Sequence, residues 1–261
     1  MHDASWSKIF DDYQIYDHDF KVKPFFISGE QIKKSVQEFK RTSEKELRIL
    51  CKQDTREDRP RIFSDLGLFI LPVTNGNYAL IKGEGYIDIP KIDDSPTSYE
   101  TKLNFDLDTS KVGNSEMQHI DFAYASSLIR TFFEDDSLVL TIRGRKYTPE
   151  FDFNVNNQRI SVKSVQTEVD AGYEGKEKVV LIEGKNQSPD NTIIRQFYYP
   201  FRQWQSHTNK KVISALFVKS DVSYFIWQFE FNNFEDYNSI KVVKSGRFDV
   251  KQQGRRSSNT D

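Results

Sequence analysis

The chain has 261 residues, of which 37% are hydrophobic, 29% charged and 14% aromatic, enough to bury one large core or two modest ones. A formal net charge of -2 excludes a uniformly basic nucleic-acid binder and confines any basic footprint to a local patch. One cysteine, Cys51, and four scattered histidines exclude an internal disulfide and a zinc site built on Cys or His, and leave open a hard, oxygen-ligated cation.

No apolar run approaches the ~20 residues that a membrane helix needs. The polar, acidic start "MHDASWSKIFDD" has neither signal nor transit character, so a cytoplasmic protein without a membrane partner is expected. "SWSKIFDDYQIY" sets Trp6, Ile9, Phe10 and Tyr13 at helical spacing. "SGEQIKKSVQEF" opens with Ser28 and Gln31 in a capping-box pattern and continues with Ile32, Val36 and Phe39 on one face. Pro60 begins a short helix that stops near Gly67, and Asn75-Gly76 then joins "LFILPV" to "NYALIKG" as a hairpin. Helix, helix, hairpin is the order of a winged helix-turn-helix module. Residues 1–90 are therefore read as a winged-helix-like DNA-binding unit, with Arg56, Arg59 and Arg61 before the wing and Asn75 and Asn77 at its tip as DNA contacts.

Residues 91–113, rich in Asp, Ser, Thr and Pro, suit a linker. A second unit is expected over 114–252, followed by a flexible tail, 253–261. It opens with a helix in "SEMQHIDFAYASSLIRTFF", where Ser115 and Gln118 repeat the box and Met117, Ile120, Tyr124, Leu128 and Phe132 form a stripe. "LVLTIRG" and "EFDFNVNN" read as strands. "QRISVKSVQTEVDAG" reads as a long strand, bent between Val162 and Val165, and "KVVLIEGK" follows across Gly175. "DNTIIRQFYYPFRQWQ" is an amphipathic helix kinked by Pro200. Ile194, Phe197, Phe201 and Trp204 lie on one face and Arg195, Tyr199 and Arg202 on the other. "KVISALFV" is a strand covered on both faces, and "YFIWQFEF" a final aromatic strand. Helix, strand meander, helix, strand makes an α/β (α+β) mixed sheet flanked by helices.

The chemistry concentrates in "VVLIEGKN". Pairing 165–171 with 179–185 puts Glu168, Asp170, Glu183 and Lys185 on one face, with Asp170 and Glu183 near enough to share a cation. Two carboxylates suit a hard divalent ion such as magnesium. Gly184 lets a backbone carbonyl approach it, and Lys185 can stabilise charge at a phosphate. The plainer alternative is a surface hairpin laced with ion pairs. Glu116, at the start of the preceding helix, is a possible further acid. Arg143, Arg145 and Lys146 beside the sheet, with Arg195 and Arg202 on the kinked helix, are expected phosphate contacts. No Gly-rich phosphate loop calls for a nucleotide cofactor.

"EVDAGYEGKEKVVLIEGKN", followed by helix and strand, resembles the catalytic core of the PD-(D/E)xK nuclease superfamily over about residues 115 to 219. With the N-terminal module the chain resembles type II restriction endonucleases. The resemblance implies Mg2+ held by Asp170 and Glu183, and Lys185 as the catalytic lysine. It also implies cleavage of double-stranded DNA to 5′-phosphate ends by a homodimer. Val169 stands where the motif has proline. Gln196 matches an accessory position of some relatives, whose partner tyrosine four residues on is here Pro200, with Tyr199 nearby. The competing readings are a structure-specific repair or junction nuclease and a non-catalytic DNA-binding regulator.

Overall fold

The computed structural model describes residues 2–251, and the expected tail, with residue 252, lies outside the described residues. The first helix, α1 (Asp3–Asp12), buries Trp6, Ile9 and Phe10 at the expected spacing. A short strand, β1 (Phe25–Ser28), leads into α2 (Gly29–Val36). There Ser28 Oγ accepts from the Gln31 backbone N–H while Gln31 Oε1 accepts from that of Ser28, the capping box read from the sequence; such a cap contributes about 1 kcal/mol. Two single-turn helices, α3 (Thr42–Lys45) and α4 (Leu47–Leu50), precede α5 (Arg61–Leu66). The hairpin follows as β2 (Leu68–Thr74) and β3 (Asn77–Lys82), turning on Gly76 at φ 77°, a left-handed conformation that suits glycine. Its sheet has the order β1-β3-β2.

Both faces of the hairpin are covered, which a free wing would not show. Leu68, Ile70 and Leu80 pack with α1 and α2, while Phe69, Leu71, Val73, Ala79 and Ile81 enter the largest core of the molecule. Beyond β4 (Tyr86–Asp88), the segment expected as a linker carries β5 (Thr97–Glu100), which pairs in parallel with the last strand of the main sheet. It is therefore part of the fold.

The helix expected over 115–132 is two, α6 (Glu116–Ala125) and α7 (Leu128–Phe132), broken where Ser127 takes φ 65°. Next come β6 (Val139–Tyr147) and the small hairpin of β7 (Phe151–Val155) and β8 (Gln158–Val162). The bend expected after Val162 is a corner at Ser164, φ 54°, that separates β8 from β9 (Gln166–Glu174). Strand β10 (Lys178–Lys185) follows, then β11 (Asn191–Ile193), α8 (Arg195–Gln205), β12 (Lys211–Ser220) and β13 (Ser223–Phe231). The chain does not stop at that aromatic strand: β14 (Ile240–Lys251) adds another.

The main sheet has seven strands in the order β5-β14-β13-β12-β10-β9-β6. It is mixed: β10 runs parallel to β12 and β5 to β14, and the other neighbours are antiparallel. The parallel step from β10 to β12 needs a crossover, supplied by α8. One face of the sheet packs Ala171, Tyr173, Val180 and Ile182 against Ile120, Ala123 and Leu128 of α6 and α7. The other packs Val169, Val179 and Leu181 beneath Tyr198, Tyr199 and Phe201 of α8. Helix α8 is itself covered, so Tyr199 and Arg202 are buried rather than outward. Tyr199 donates through its hydroxyl to the Pro72 carbonyl of the hairpin, 3.0 Å. The protein is thus a mixed α/β fold, and among the described residues no helix is long and apolar enough to cross a membrane.

Candidate functional site

Strands β9 and β10 pair regularly from Val179↔Glu174 to Ile182↔Ala171. On the far side of β9, Val169 pairs with Gly144 and Gly172 with Ile142, so residues 170 and 171 stand opposite the single residue 143. Such a bulge turns the strand's faces over. Val169 accordingly packs on the α8 side and Ala171 on the α6 side. Asp170 sits at the crossover. Its Oδ2 accepts from the Gly184 backbone N–H at 2.7 Å, a side-chain bond just beyond the last regular pair.

Glu183 follows Leu181 on the α8 face, at the end of the apolar run. Its Oε1 accepts from Lys185 Nζ at 2.7 Å, and the two side chains are 17% and 27% exposed. Burial pushes the Glu183 carboxyl up to about 7; Lys185 pulls it back and Asp170 adds repulsion. Burial works against the charge of Lys185, yet Glu183 outweighs it, with Asp54 and Glu116 acting the same way, and its pKa lies above the ordinary lysine value. Glu116, in the first turn of α6, accepts from the Asn186 backbone N–H at 3.1 Å. A β-carbon on Gly184 would stand 3.1 Å from Glu116 Cβ and 3.0 Å from Ile120 Cδ1, so glycine lets α6 approach closely there. Glu116, Asp170, Glu183, Gly184 and Lys185 are thus gathered at one end of β10.

The sequence reading missed Asp54. Its carbonyl accepts from the Ile193 N–H at 2.8 Å, and its carboxylate lies 3.9 Å from Arg195 Nη2 and 3.5 Å from Lys52 Nζ. Nothing local in "CKQDTRED" marks it, because its role comes from how the N-terminal part docks. That docking forms one wall of an open cleft of about 580 Å³, with Glu183 among its lining residues. Arg48, Cys51, Lys52, Asp54 and the hairpin tip line one side; β9, Arg145 and the start of α8 line the other.

The remaining predicted residues divide. Asn75, Arg145, Glu168, Arg195 and Gln196 line the cleft. Glu168 is paired with Arg145 at 3.2 Å, and Gln196 Oε1 accepts from Thr192 Oγ1 at 3.0 Å. Lys146 is exposed, Arg61 pairs with Asp65 on its own helix, and Arg143 with Asp121. Asn77 closes its turn by donating to Thr74 Oγ1. Arg56 and Arg59 are structural: Arg56 pairs with Glu84 and Asp88, Arg59 donates to the Leu68 carbonyl, and both lie over the Tyr86 ring. Arg202 is 6% exposed, caged by Phe151 and Phe234, and donates to the carbonyls of Asp152 and Phe234. Its burial removes it from any DNA-facing role.

Among the described residues no three His, Cys, Asp or Glu side chains converge as a ready-made metal site. The donor set still fits one hard cation. Asp170 and Glu183 each commit one oxygen to the hydrogen bonds above, their mutual repulsion would be relieved by positive charge, and magnesium characteristically takes only one or two carboxylates beside water and phosphate. A stability consequence follows. The folded chain holds the Glu183 proton more tightly than the unfolded chain, so this group's contribution is full below about pH 4.5 and is lost as pH rises through about 7. The loss amounts to at most about 3 kcal/mol. Thermal unfolding with and without magnesium should coincide at about pH 5, and magnesium should raise Tm at about pH 8. An equal magnesium effect at both pH values would reject Glu183 as the responsive group.

Residues 81–249, well over half of the chain, match the family model described as Domain of unknown function (DUF6997), and the chain belongs to that family. Residues 3–80 match a second model, Domain of unknown function (DUF6996). Neither a curated protein nor a solved structure matches.

Proposed function

We propose that the protein is a magnesium-dependent deoxyribonuclease of the PD-(D/E)xK type, acting as a type II restriction endonuclease does. The observation that carries the reading is the gathering of Asp170, Glu183 and Lys185 where β10 ends beside a cleft with basic residues on both sides. The succession α6, β6, β9, β10, α8, β12, with β12 parallel to β10, supports it, being the helix, meander, helix, strand order that the resemblance implies. The order of helices and the β1-β3-β2 sheet support a winged-helix origin for the N-terminal part, acting as a fixed wall of the cleft.

In this reading Asp170 and Glu183 offer their uncommitted oxygens to the cation, with the Gly184 carbonyl as a further donor. A bound magnesium ion supplies charge compensation at the scissile phosphate. Lys185, held by Glu183, presents a fixed positive charge to the same phosphate. Glu116 steadies the chain at Asn186, and Arg145 and Arg195 orient the DNA backbone. Cutting both strands of a palindrome requires two copies related by a two-fold axis. Digestion of DNA of known sequence with magnesium should give discrete fragments whose 5′-phosphate ends can be religated. Specific binding without any magnesium-dependent cutting would favour the DNA-binding regulator. Branched substrates cut in preference to linear duplex would favour the second reading, a structure-specific nuclease.

A further inference from the structure

An acid stands where a polyanion has to lie. Asp54 lines the cleft with Glu183, and it also lines the adjoining hollow together with Arg48 and Lys52. Its carboxylate opposes a DNA backbone, and its charge is felt at both Glu183 and Lys185. Docking of the N-terminal part does not need that carboxylate. The main chain is already tied there, since the Asp54 carbonyl accepts from the Ile193 N–H at 2.8 Å. Nearby, Asn191 accepts from the Arg56 N–H at 2.8 Å and donates to Glu57 at 2.9 Å. The hairpin is further held by the shared core and by a bond from the Lys163 N–H to the Val73 carbonyl, 2.9 Å. A partly exposed ion pair at 3.9 Å adds little to such a junction.

What the carboxylate does is face two cations, one from each part of the chain. Its Oδ2 lies 3.5 Å from Lys52 Nζ and its Oδ1 lies 3.9 Å from Arg195 Nη2. Arg195 is the first residue of α8. The N-terminus of a helix favours anions and opposes a cation in its first turn, so this guanidinium needs a carboxylate beside it. Among the described residues it has no other ion-pair partner and donates no hydrogen bond, so Asp54 sets where its charge points. Asp54 is itself placed by its own backbone bond to Ile193, two residues before that arginine. Lys52 completes the group as a reachable cation, its side chain 71% exposed.

We infer that Asp54 is a positioning residue of the nuclease site, holding Arg195 toward Lys52 so that both cations meet one backbone phosphate of the duplex next to Glu183 and Lys185. This rests on the nuclease reading and makes the site one that both family regions build. The test uses the full chain and a labelled duplex spanning a mapped cut site. The rate constant kcat is measured with magnesium, and Kd by fluorescence anisotropy without it. Asp54→Asn keeps the side chain's shape and the backbone bond. It should lower kcat about tenfold, leave Tm unchanged, and leave Kd unchanged or tighter, because a charge that repels DNA is lost. Asp54→Glu should recover part of the rate. Arg195→Gln should also cost about tenfold, and the double variant should be no slower than Arg195→Gln, since the acid acts through the arginine. A wild-type rate for Asp54→Asn, or losses that multiply to about a hundredfold in the double variant, would overturn the inference and leave the nuclease standing. So would a fall in Tm or a weaker Kd at unchanged kcat, which would mark a structural tie. A full chain that cuts no duplex with magnesium would overturn both.

Discussion

Lys185→Ala will lower the rate of magnesium-dependent DNA cleavage by about a thousandfold, and Asp170→Asn by at least about a hundredfold, as when a charge aimed at the reacting centre is removed. The two variants will shift the pH profile in opposite directions. Lys185 is the group that pulls the Glu183 carboxyl down against burial, so without it that carboxyl rises above about 7 and the remaining activity moves to higher pH. Asp170 pushes the same carboxyl up, and Asn removes that repulsion, so its residual activity moves to lower pH. Circular dichroism and thermal unfolding separate these effects from misfolding, which would lower rates at every pH without moving the profile. An unshifted profile and a rate near wild type for Lys185→Ala would reduce its bond to Glu183 to a structural ion pair.

Much of this site was legible because a β-strand writes its faces in period two. The apolar run through Ile182, followed by Glu183 and Lys185, put both charges on one rigid edge, and Asp170 across Gly175 completed the pair. The bulge at Asp170 was not legible, since it depends on the register of β9 against β6. The mutual face expected for Glu168 and Asp170 assumed an unbroken strand, and Glu168 is instead held by Arg145. Helix α8 misled for a different reason. Its stripe reports the face toward the sheet, while the hairpins that bury Tyr199 and Arg202 come from distant parts of the chain. Strand β14 was overlooked because none of its residues is fully buried and Lys241, Lys244, Arg247 and Asp249 interrupt it, so it lacks the apolar run of a central strand. Asp54 reaches the cleft only through tertiary docking, which no local pattern encodes.

Cutting the chain between its two family regions will abolish folding of both pieces. The boundary between residues 80 and 81 falls inside β3, separating Leu80, which packs with α1 and α2, from Ile81, which packs against the main core. A fragment beginning at 81 loses Phe69, Leu71, Val73 and Ala79 from that core and uncovers Tyr199, whose hydroxyl partner is Pro72. Fully burying side chains of this size is worth about 1.5–3 kcal/mol each, so several together exceed the net stability of a typical domain, about 5–15 kcal/mol, or consume most of it. The 81–261 fragment should therefore show no cooperative thermal transition, while the full chain unfolds in a single one. The milder variant Phe69→Ala should remain folded but lose about 3–5 kcal/mol in denaturant unfolding. A fragment that melts cooperatively near the full-length Tm would show instead that the shared core adds little, and the N-terminal wall could then swing away from Glu183.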